Sequence, residues 1–380
     1  MAHFPIEPLD RFHGASASIK RPREVTHFSY DDSRTYRADD SGINYYAPPQ
    51  IGSDLKAGFD TFHQYEEISD PHLDSLLRAL AARERTQGTT EDADIVTWRG
   101  MMTKIMTAPC DNFAEFAMRA TRLGSTIYLE EDFAQRAVQR AAEASRPAPP
   151  GRNAHGPSHQ MMTYWGYKFE TLCLLPQPPD AVSPEALAAR TTARVSNYAQ
   201  HCSVVRTSFG PHSLLLGGEV DGLRARKPPD DASAPTPWIE LKTAEELPPR
   251  PAHRDILRFE RKLLKFWAQS FLLGVPTVIV GWRSKQGILT GVQELETSRI
   301  PGMVRRGTKC WDGNVCINFA TEFLGWLKGV VADEGVVYEV KLRKKGGSVE
   351  VVRVAAGGGN DIVSQEFREW REELQRKKEG

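Results

Sequence analysis

The second half of the chain shows the clearest alternation of apolar and polar stretches. An apolar run ends in two carboxylates in LLLGGEVDGL (214–223), and a second short strand, PWIELKTA, is predicted at 237–244. The periodicity of residues 255–274 predicts a long amphipathic helix ended by Gly274, and the apolar run 275–283 is typical of a buried strand. Strands that alternate with a long helix predict a mixed α/β core with flanking helices.

The pattern predicts further elements at both ends of the chain. Four leucines of residues 69–88 recur at helical spacing, so a helix is expected there, with Ser69 or Asp70 as its N-cap and Pro71 in its first turn. Residues 336–354 alternate around a Gly-Gly pair, which predicts a β-hairpin. The two halves of the chain therefore both contribute regular structure.

Other stretches interrupt the regular pattern. Residues 94–107 combine strand and helix signals. The composition of residues 145–159 and 227–237 predicts surface loops, and residues 363–380 are expected to form a charged C-terminal helix or tail. Length alone favours two domains, but we interpret the loops as insertions and predict a single domain over residues 1–380.

Composition and charge narrow the class of protein. Lysine plus arginine and aspartate plus glutamate both number 49, so a general coating of nucleic acid is disfavoured, although a local groove for a single strand remains compatible. No apolar run approaches the ~20 residues of a membrane span, and the first residues lack a signal-peptide pattern. The five cysteines contain no CxxC pair, so we expect a reducing, intracellular environment.

The candidate chemistry lies in acidic residues that follow the apolar strands. Glu219 and Asp221 are two apart, as are Glu240 and Lys242, and Glu170 ends an aromatic segment. If strands 214–223 and 237–243 pair, these side chains cluster. Two bare carboxylates ~5 Å apart repel by roughly 3 kcal/mol at an effective dielectric constant of 20. A divalent cation would offset that repulsion, and all-oxygen ligands select Mg²⁺ or Mn²⁺.

Each of these pairs has an ordinary alternative. Glu-x-Asp on a strand is usually a solvated face, and Glu-x-Lys is often a surface ion pair. Together, after apolar strands and separated by a short polar loop, they resemble the acidic-x-Lys core of the PD-(D/E)xK nucleases. Such a core binds phosphate oxygens and activates water for in-line displacement at phosphorus.

Five motifs in order extend the resemblance to one family. They are VTWRGMMTK (96–104), WGYKFE (165–170), GGEVDGL (217–223), IELKT (239–243) and KLLKFWAQSFLLGVP (262–276). Together they closely resemble the DXO/Rai family of RNA 5′-end decapping and exonuclease enzymes. The resemblance implies a single mixed α/β domain with two β-sheets and a nuclease-like pocket between them.

The resemblance implies a metal site for one or two Mg²⁺ or Mn²⁺ ions. Its ligands would be the side chains of Glu170, Glu219, Asp221 and Glu240 with the backbone carbonyl of Leu241. In this arrangement Asp221 and Glu240 hold the principal ion, whereas Glu170 and Glu219 hold a second ion or its waters and orient the attacking water. The catalytic set then adds Lys242 and Gln269 to the four carboxylates.

A second implied group contacts the RNA 5′ end. Its members are Arg34, Trp98, Arg99, Gly100, Cys202, Glu219, Lys242 and Gln269. Lys242 and Gln269 would contact the scissile phosphate, and the planar fork of Arg99 suits phosphate. Simpler readings are that Trp98 is a core residue and that the polar helix face carrying Gln269 points at water. Cys202 is expected to be a small buried residue and no nucleophile, and no histidine is expected in catalysis.

The resemblance implies hydrolysis at single-stranded RNA 5′ ends. Family members release pyrophosphate from 5′-triphosphate RNA, excise unmethylated or incomplete caps and NAD-type caps, and in some cases degrade RNA 5′→3′. The N-terminal segment looks closest to the fungal nuclear branch, which binds and stimulates an XRN-type nuclear 5′→3′ exoribonuclease, so a nuclear location is expected. The alternatives are a mainly non-catalytic partner of that exoribonuclease, a cytoplasmic decapping exoribonuclease paralogue, and a DNA repair nuclease.

Overall fold

The computed structural model describes residues 1–144, 157–228, 235–354 and 362–379. The predicted loops at 145–159 and 227–237 lie largely outside these residues. The described fold consists of two β-sheets flanked by helices, as the family resemblance implied.

The larger sheet collects strands from nearly the whole chain. In spatial order its strands are β1 (Ala2–Pro5), β16 (Ser348–Arg353), β15 (Val337–Leu342), β6 (Phe116–Leu123), β7 (Thr126–Glu131), β5 (Ile95–Trp98), β10 (His212–Glu219), β9 (Gln200–Phe209), β2 (Ile19–Tyr30) and β3 (Tyr36–Arg37). Strand β10 runs parallel to β5 and antiparallel to β9. Strands β15 and β16 form the predicted C-terminal hairpin.

The smaller sheet combines four strands that follow Glu219 and Asp221 in the chain with two short strands that precede them. Its spatial order is β14 (Leu289–Glu296), β13 (Thr277–Arg283), β12 (Trp238–Glu245), β11 (Gly222–Leu223), β4 (Tyr45–Tyr46) and β8 (Leu174–Leu175). Strands β12 and β13 are parallel, and the two-residue strand β11 pairs antiparallel with the start of β12.

The helices cover the faces of both sheets. They are α1 (Asp74–Gln87), α2 (Arg99–Thr107), α3 (Phe133–Ala144), α4 (His159–Cys173), α5 (Pro184–Ala189), α6 (His253–Leu273), α7 (Ile300–Arg306), α8 (Gly313–Val330) and α9 (Gln365–Glu379). None of the helices in the described part of the chain is both long and apolar enough to cross a membrane.

The leucine run of β10 is buried on both faces of the larger sheet. Leu214 and Leu216 belong to the main apolar cluster, whereas Leu215 packs in a second cluster with α1 and α9. Alternate residues of a strand point to opposite faces, so a strand covered on both sides is apolar without alternation. Because both faces of β10 are covered, its residues stay apolar until the carboxylates Glu219 and Asp221 are reached.

One prediction about this segment is wrong. Residues 214–223 were expected to form one strand, but β10 ends at Glu219 and stays in the larger sheet. Only Gly222 and Leu223 pair with β12, across Ile239 and Trp238. The chain therefore passes from one sheet to the other at Val220 and Asp221, and Asp221 lies outside regular strand structure.

The boundaries of other elements also differ from the sequence pattern. Helix α1 begins at Asp74, not after Ser69 or Asp70, because the Asp70 carboxylate accepts the backbone N–H of His72 and His72 has a positive φ of 45°. The mixed signals of residues 94–107 resolve into β5 followed directly by α2. The end of α6 at Gly274, which has a φ of 72°, is as predicted.

Candidate active site

The crossing between the two sheets brings Glu219 and Asp221 to the edge of β12. Asp221 Oδ2 accepts a hydrogen bond of 2.6 Å from the backbone N–H of Leu241. In an extended strand the N–H and C=O of one residue point to the same side. The Leu241 carbonyl therefore faces the side of β12 on which Asp221 lies.

Arg99 reaches the same place from the larger sheet. The register of β5 against β10 pairs Trp98 with Gly217, so Arg99 begins α2 beside the end of β10. A Cβ on Gly218 would lie 3.0 Å from Arg99 Cβ and 2.7 Å from Leu273 Cδ1. Glycine at this position allows α2 and α6 to approach the strand next to Glu219.

Two cations hold Glu240 at the centre of the site. Arg99 Nη1 lies 2.9 Å from Glu240 Oε2, and Lys242 Nζ lies 2.6 Å from Glu240 Oε1. Glu240 is 1% exposed. Burial favours its neutral form, but Arg99 and Lys242 outweigh burial and hold the pKa of this carboxyl below its usual range. Glu240 is therefore ionised and shared between the two cations.

In the other three carboxyl groups, the nearby cations do not outweigh burial. Burial, then the charges of Asp221 and Glu219, raises the pKa of Glu170 well above its usual range. Burial and the charge of Glu240 raise the pKa of Asp221 to about 7. Burial also raises the pKa of Glu219, although Arg99 opposes the effect. The four carboxyl groups thus share one electrostatic environment, as the sequence suggested.

This donor set fits a hard divalent cation. Four carboxylates face the two cations Arg99 and Lys242, so full ionisation would leave two negative charges in excess. Carboxylate and carbonyl oxygens are the ligands that Mg²⁺ and Mn²⁺ accept. Burial, together with this excess negative charge, raises the pKa values of Asp221 and Glu170.

Gln269 lies on the face of α6 that approaches this region. Leu273, one helical turn later, packs against Gly218, and Gln269 is half-buried. The predicted polar face is not uniform, because Lys265 pairs with Asp111 at 3.1 Å. Gln269 thus lies on the helix face that is turned toward the strand carrying Glu219, and its contact with the scissile phosphate stays a prediction.

Three further predicted contacts surround Arg99 and Glu219. Trp98 is half-buried; its Nε1 donates to the His72 carbonyl at 3.3 Å. Gly100 lies in the first turn of α2. Cys202 is buried opposite Glu219 in the β9–β10 register, and burial raises the pKa of its thiol. A thiol that stays protonated agrees with the expectation that Cys202 is no nucleophile.

Arg34 is connected to Glu219 through a residue that the sequence did not single out. Arg34 Nη1 donates to Gln200 Oε1 at 2.5 Å, and Gln200 Nε2 donates to Glu219 Oε2 at 3.0 Å. The guanidinium also lies over the rings of Tyr30 and Tyr65, at 4.1 and 4.5 Å from their centroids. Gln200 is the first residue of β9, a strand that is buried at most positions without alternation, so no local pattern distinguishes it.

A separate group of ligand-type side chains lies behind Trp98. Within the described ranges, ligand atoms of Asp70, His72 and Glu130 lie within 4.8 Å of one another. His72 Nδ1 is 3.1 Å from Glu130 Oε2, and Arg119 approaches the same carboxylate. These side chains are paired with one another, and the backbone carbonyl of His72 accepts the hydrogen bond from Trp98. The cluster therefore supports the Trp98–Arg99 corner from outside the site.

Acidic residues and a strand-borne lysine at the junction of two sheets define a nuclease of the PD-(D/E)XK class. A sequence profile described as "RAI1 like PD-(D/E)XK nuclease" matches residues 20–368. The chain is 46% identical over 369 residues to the protein named "Decapping nuclease RAI1" of Emericella nidulans, an alignment that covers 97% of this chain and 98% of that relative. The chain belongs to the RAI1 family, and it is a divalent-metal-dependent hydrolase that acts on RNA.

Solved structures share the architecture across the whole chain. Candida albicans Rai1, in complex with pU5-Mn²⁺, superposes with a TM-score of 0.88 at 25% identity, covering 98% of this chain and 99% of that one. Scheffersomyces stipitis Rai1, in complex with (3′-NADP)⁺ and calcium ion, gives a TM-score of 0.87 at 25% identity, covering 98% and 100%. The described two-sheet fold is thus the fold of Rai1 proteins.

Proposed function

We propose that this chain removes incomplete 5′ ends from RNA. It releases pyrophosphate from 5′-triphosphate RNA, excises unmethylated or incomplete caps, and removes NAD caps. We further propose that it works in the nucleus and stimulates an XRN-type 5′→3′ exoribonuclease. The support for this partner and location is the similarity to fungal Rai1 proteins along the whole chain.

The catalytic proposal rests on the two ion pairs that Arg99 and Lys242 make with Glu240. Arg99 and Lys242 both contact this one buried carboxylate, so both cations are oriented before substrate arrives. A phosphate group at the site would meet two positive groups whose positions are already set. Fixed charges of this kind stabilise the charge that develops on a phosphoryl group during displacement.

The metal ion would be held by the side chains of Glu170, Glu219, Asp221 and Glu240 and by the Leu241 carbonyl. When bound, Mg²⁺ or Mn²⁺ polarises phosphate oxygens and lowers the pKa of a coordinated water. That a Rai1 relative binds pU5 together with Mn²⁺ supports this assignment. In the metal-free protein the carboxyl groups of Asp221 and Glu170 retain protons more readily than usual, so ion binding at neutral pH should release protons.

The remaining residues bind and orient the RNA 5′ end. Lys242, paired with Glu240 Oε1, would contact one phosphate oxygen, and Arg99, paired with Glu240 Oε2, would contact a second. Arg34, stacked between Tyr30 and Tyr65, offers the rest of its guanidinium to a neighbouring phosphate. The binding of (3′-NADP)⁺ by a Rai1 relative supports the inclusion of NAD-capped ends.

The test is a product profile on four RNAs of one sequence. Purified chain with Mg²⁺ or Mn²⁺ is incubated with triphosphate, unmethylated-cap, NAD-cap and monophosphate RNA. Pyrophosphate from the first and excised cap from the next two are expected, and neither should form with the double variant Glu219→Ala/Asp221→Ala. Wild-type activity in that variant would refute the site.

The exoribonuclease proposal needs a separate arm of the same experiment. Purified XRN-type nuclease degrades a structured monophosphate RNA with and without this chain, and the Glu219→Ala/Asp221→Ala variant is compared with the wild type. Stimulation by both versions would show that partner support is independent of the pocket. A lack of stimulation by either would refute the partner proposal and leave the hydrolase proposal standing.

A further inference from the structure

Gln200 stands between two charged residues that the site uses. Its Oε1 accepts from the Arg34 cation at 2.5 Å, and its Nε2 donates to the Glu219 anion at 3.0 Å. The amide therefore has its negative end toward the cation and its positive end toward the anion. Arg34 and Glu219 are connected through this neutral group, with no direct ion pair between them among the described contacts.

Backbone pairing in the larger sheet places Gln200 close to the end of the strand that carries Glu219. Gln200 opens β9, pairs with Tyr30 of β2, and precedes by two residues Cys202, whose partner in β10 is Glu219. Residues two apart in a strand share a face, so the side chain of Gln200 is directed along the same face as that of Cys202. Gln200 is also half-buried, so the amide has limited freedom to exchange its partners for water.

Both partners depend on this amide for orientation. Arg34 sits at a positive φ of 62° and is otherwise held by stacking on Tyr30 and Tyr65 and by one hydrogen bond of 3.1 Å to the Tyr198 carbonyl. Glu219 ends β10, where strand pairing stops. A direct pair between Arg34 and Glu219 would consume both charges, whereas the neutral bridge leaves the anion for a cation and the guanidinium for phosphate.

We propose that Gln200 is a positioning residue that orients Glu219 for metal binding and Arg34 for the RNA 5′ end while it keeps their charges from pairing. This inference rests on the proposed function, because it takes Glu219 as a metal ligand and Arg34 as a substrate contact. Groups that orient metal ligands typically change metal affinity or activity by about 10- to 100-fold when removed.

The experiment separates the two ends of the amide. Gln200→Met keeps the length of the side chain and removes both hydrogen bonds, and Arg34→Met removes only the substrate end. Each variant and the double variant are assayed for Mn²⁺ binding without RNA, for kcat and KM on triphosphate RNA, and for thermal unfolding. Gln293→Met, at an exposed strand glutamine of the smaller sheet, is the matched control and should match the wild type.

We expect the variants to affect Mn²⁺ affinity and KM differently. Gln200→Met should weaken Mn²⁺ binding about tenfold and raise KM several-fold, whereas Arg34→Met should raise KM and leave Mn²⁺ binding unchanged. Adding Gln200→Met to Arg34→Met should then weaken Mn²⁺ binding without a further rise in KM. A residue with a merely structural role would not produce this dependence on Arg34.

Two results would refute the role of Gln200, and neither of them is the result that would refute the proposed function. Wild-type Mn²⁺ affinity and KM in a folded Gln200→Met variant would refute it, and KM effects that multiply in the double variant would refute the Arg34 end. If the wild-type chain itself binds no Mn²⁺, the proposed function fails as well. Should Gln200→Met not fold, Gln200→Asn, whose amide is one methylene too short for both partners, carries the same test.

Discussion

Replacing Asp221 by Asn removes one charge from the crossing between the two sheets and keeps its shape. The Asn Oδ1 atom can still accept the hydrogen bond that Leu241 N donates to Asp221. The ionised Asp221 carboxylate is costly in the metal-free fold, because burial and the charge of Glu240 raise its pKa to about 7 from an ordinary 3.8. We therefore expect Asp221→Asn to stabilise the metal-free chain.

The size of this stabilisation and its dependence on pH follow from the difference between the folded-state and unfolded-state pKa values of Asp221. Three pKa units correspond to about 4 kcal/mol, and partial solvent screening of this partly buried side chain reduces the expected gain to about 2–4 kcal/mol. Because folding raises the pKa of Asp221, the contribution of its protonated carboxyl group to wild-type stability is fully present below the unfolded-state pKa. That contribution is lost as the pH rises through the folded-state pKa. The gain of Asp221→Asn should thus be largest above about pH 7, shrink below it, and vanish near pH 4.

The assay is guanidinium unfolding of metal-free protein at about pH 8 and about pH 5, followed by the same measurement with Mn²⁺. The variant should exceed the wild type at the higher pH, and Mn²⁺ should stabilise the wild type far more than the variant. Asp180→Asn, which removes an exposed carboxylate paired with Arg226, is the control and should not stabilise the chain. A metal-free Asp221→Asn variant that is less stable than the wild type at pH 8 would show that the charge is structural.

Three further predictions concern the surroundings of the site. Lys242→Met should lower the single-turnover rate on triphosphate RNA about 10²- to 10³-fold, and it should also destabilise the metal-free chain because the buried Glu240 carboxylate loses one of its two cations. An unchanged rate would exclude Lys242 from the chemistry. Gly217→Val would place its Cβ 2.8 Å from the Trp98 ring and should cost about 1–3 kcal/mol of unfolding free energy, unlike Gly347→Ala, which has open space around its Cβ. Burial raises the pKa of Glu130 to about 7, so the wild type should lose stability as the pH rises toward that value, and Glu130→Gln should reduce the loss in denaturation measured across this range.

Local patterns were sufficient where one segment decides its own structure. The leucine run of β10, the hairpin of β15 and β16, and the end of α6 at Gly274 were predicted from periodicity and turn residues. The start of α1 was not, because the Asp70 carboxylate is engaged with the backbone of His72. A capping residue in a sequence cannot reveal that its side chain has another partner in the fold.

The sequence by itself was enough to predict the acidic and basic candidates for the site. Glu219, Asp221, Glu240 and Lys242 were found because charges directly after apolar strands need compensation, and ordered motifs linked them to one family. The tertiary structure decided how these side chains come into contact. The chain passes from one sheet to the other at Asp221, and the pairing of β5 with β10 places Arg99 within ion-pair distance of Glu240. It also decided the role of Gln200, whose two hydrogen bonds join residues far apart in the chain. Alternation along a strand specifies the face on which a side chain lies, but contacts between sheets depend on packing that no single segment encodes.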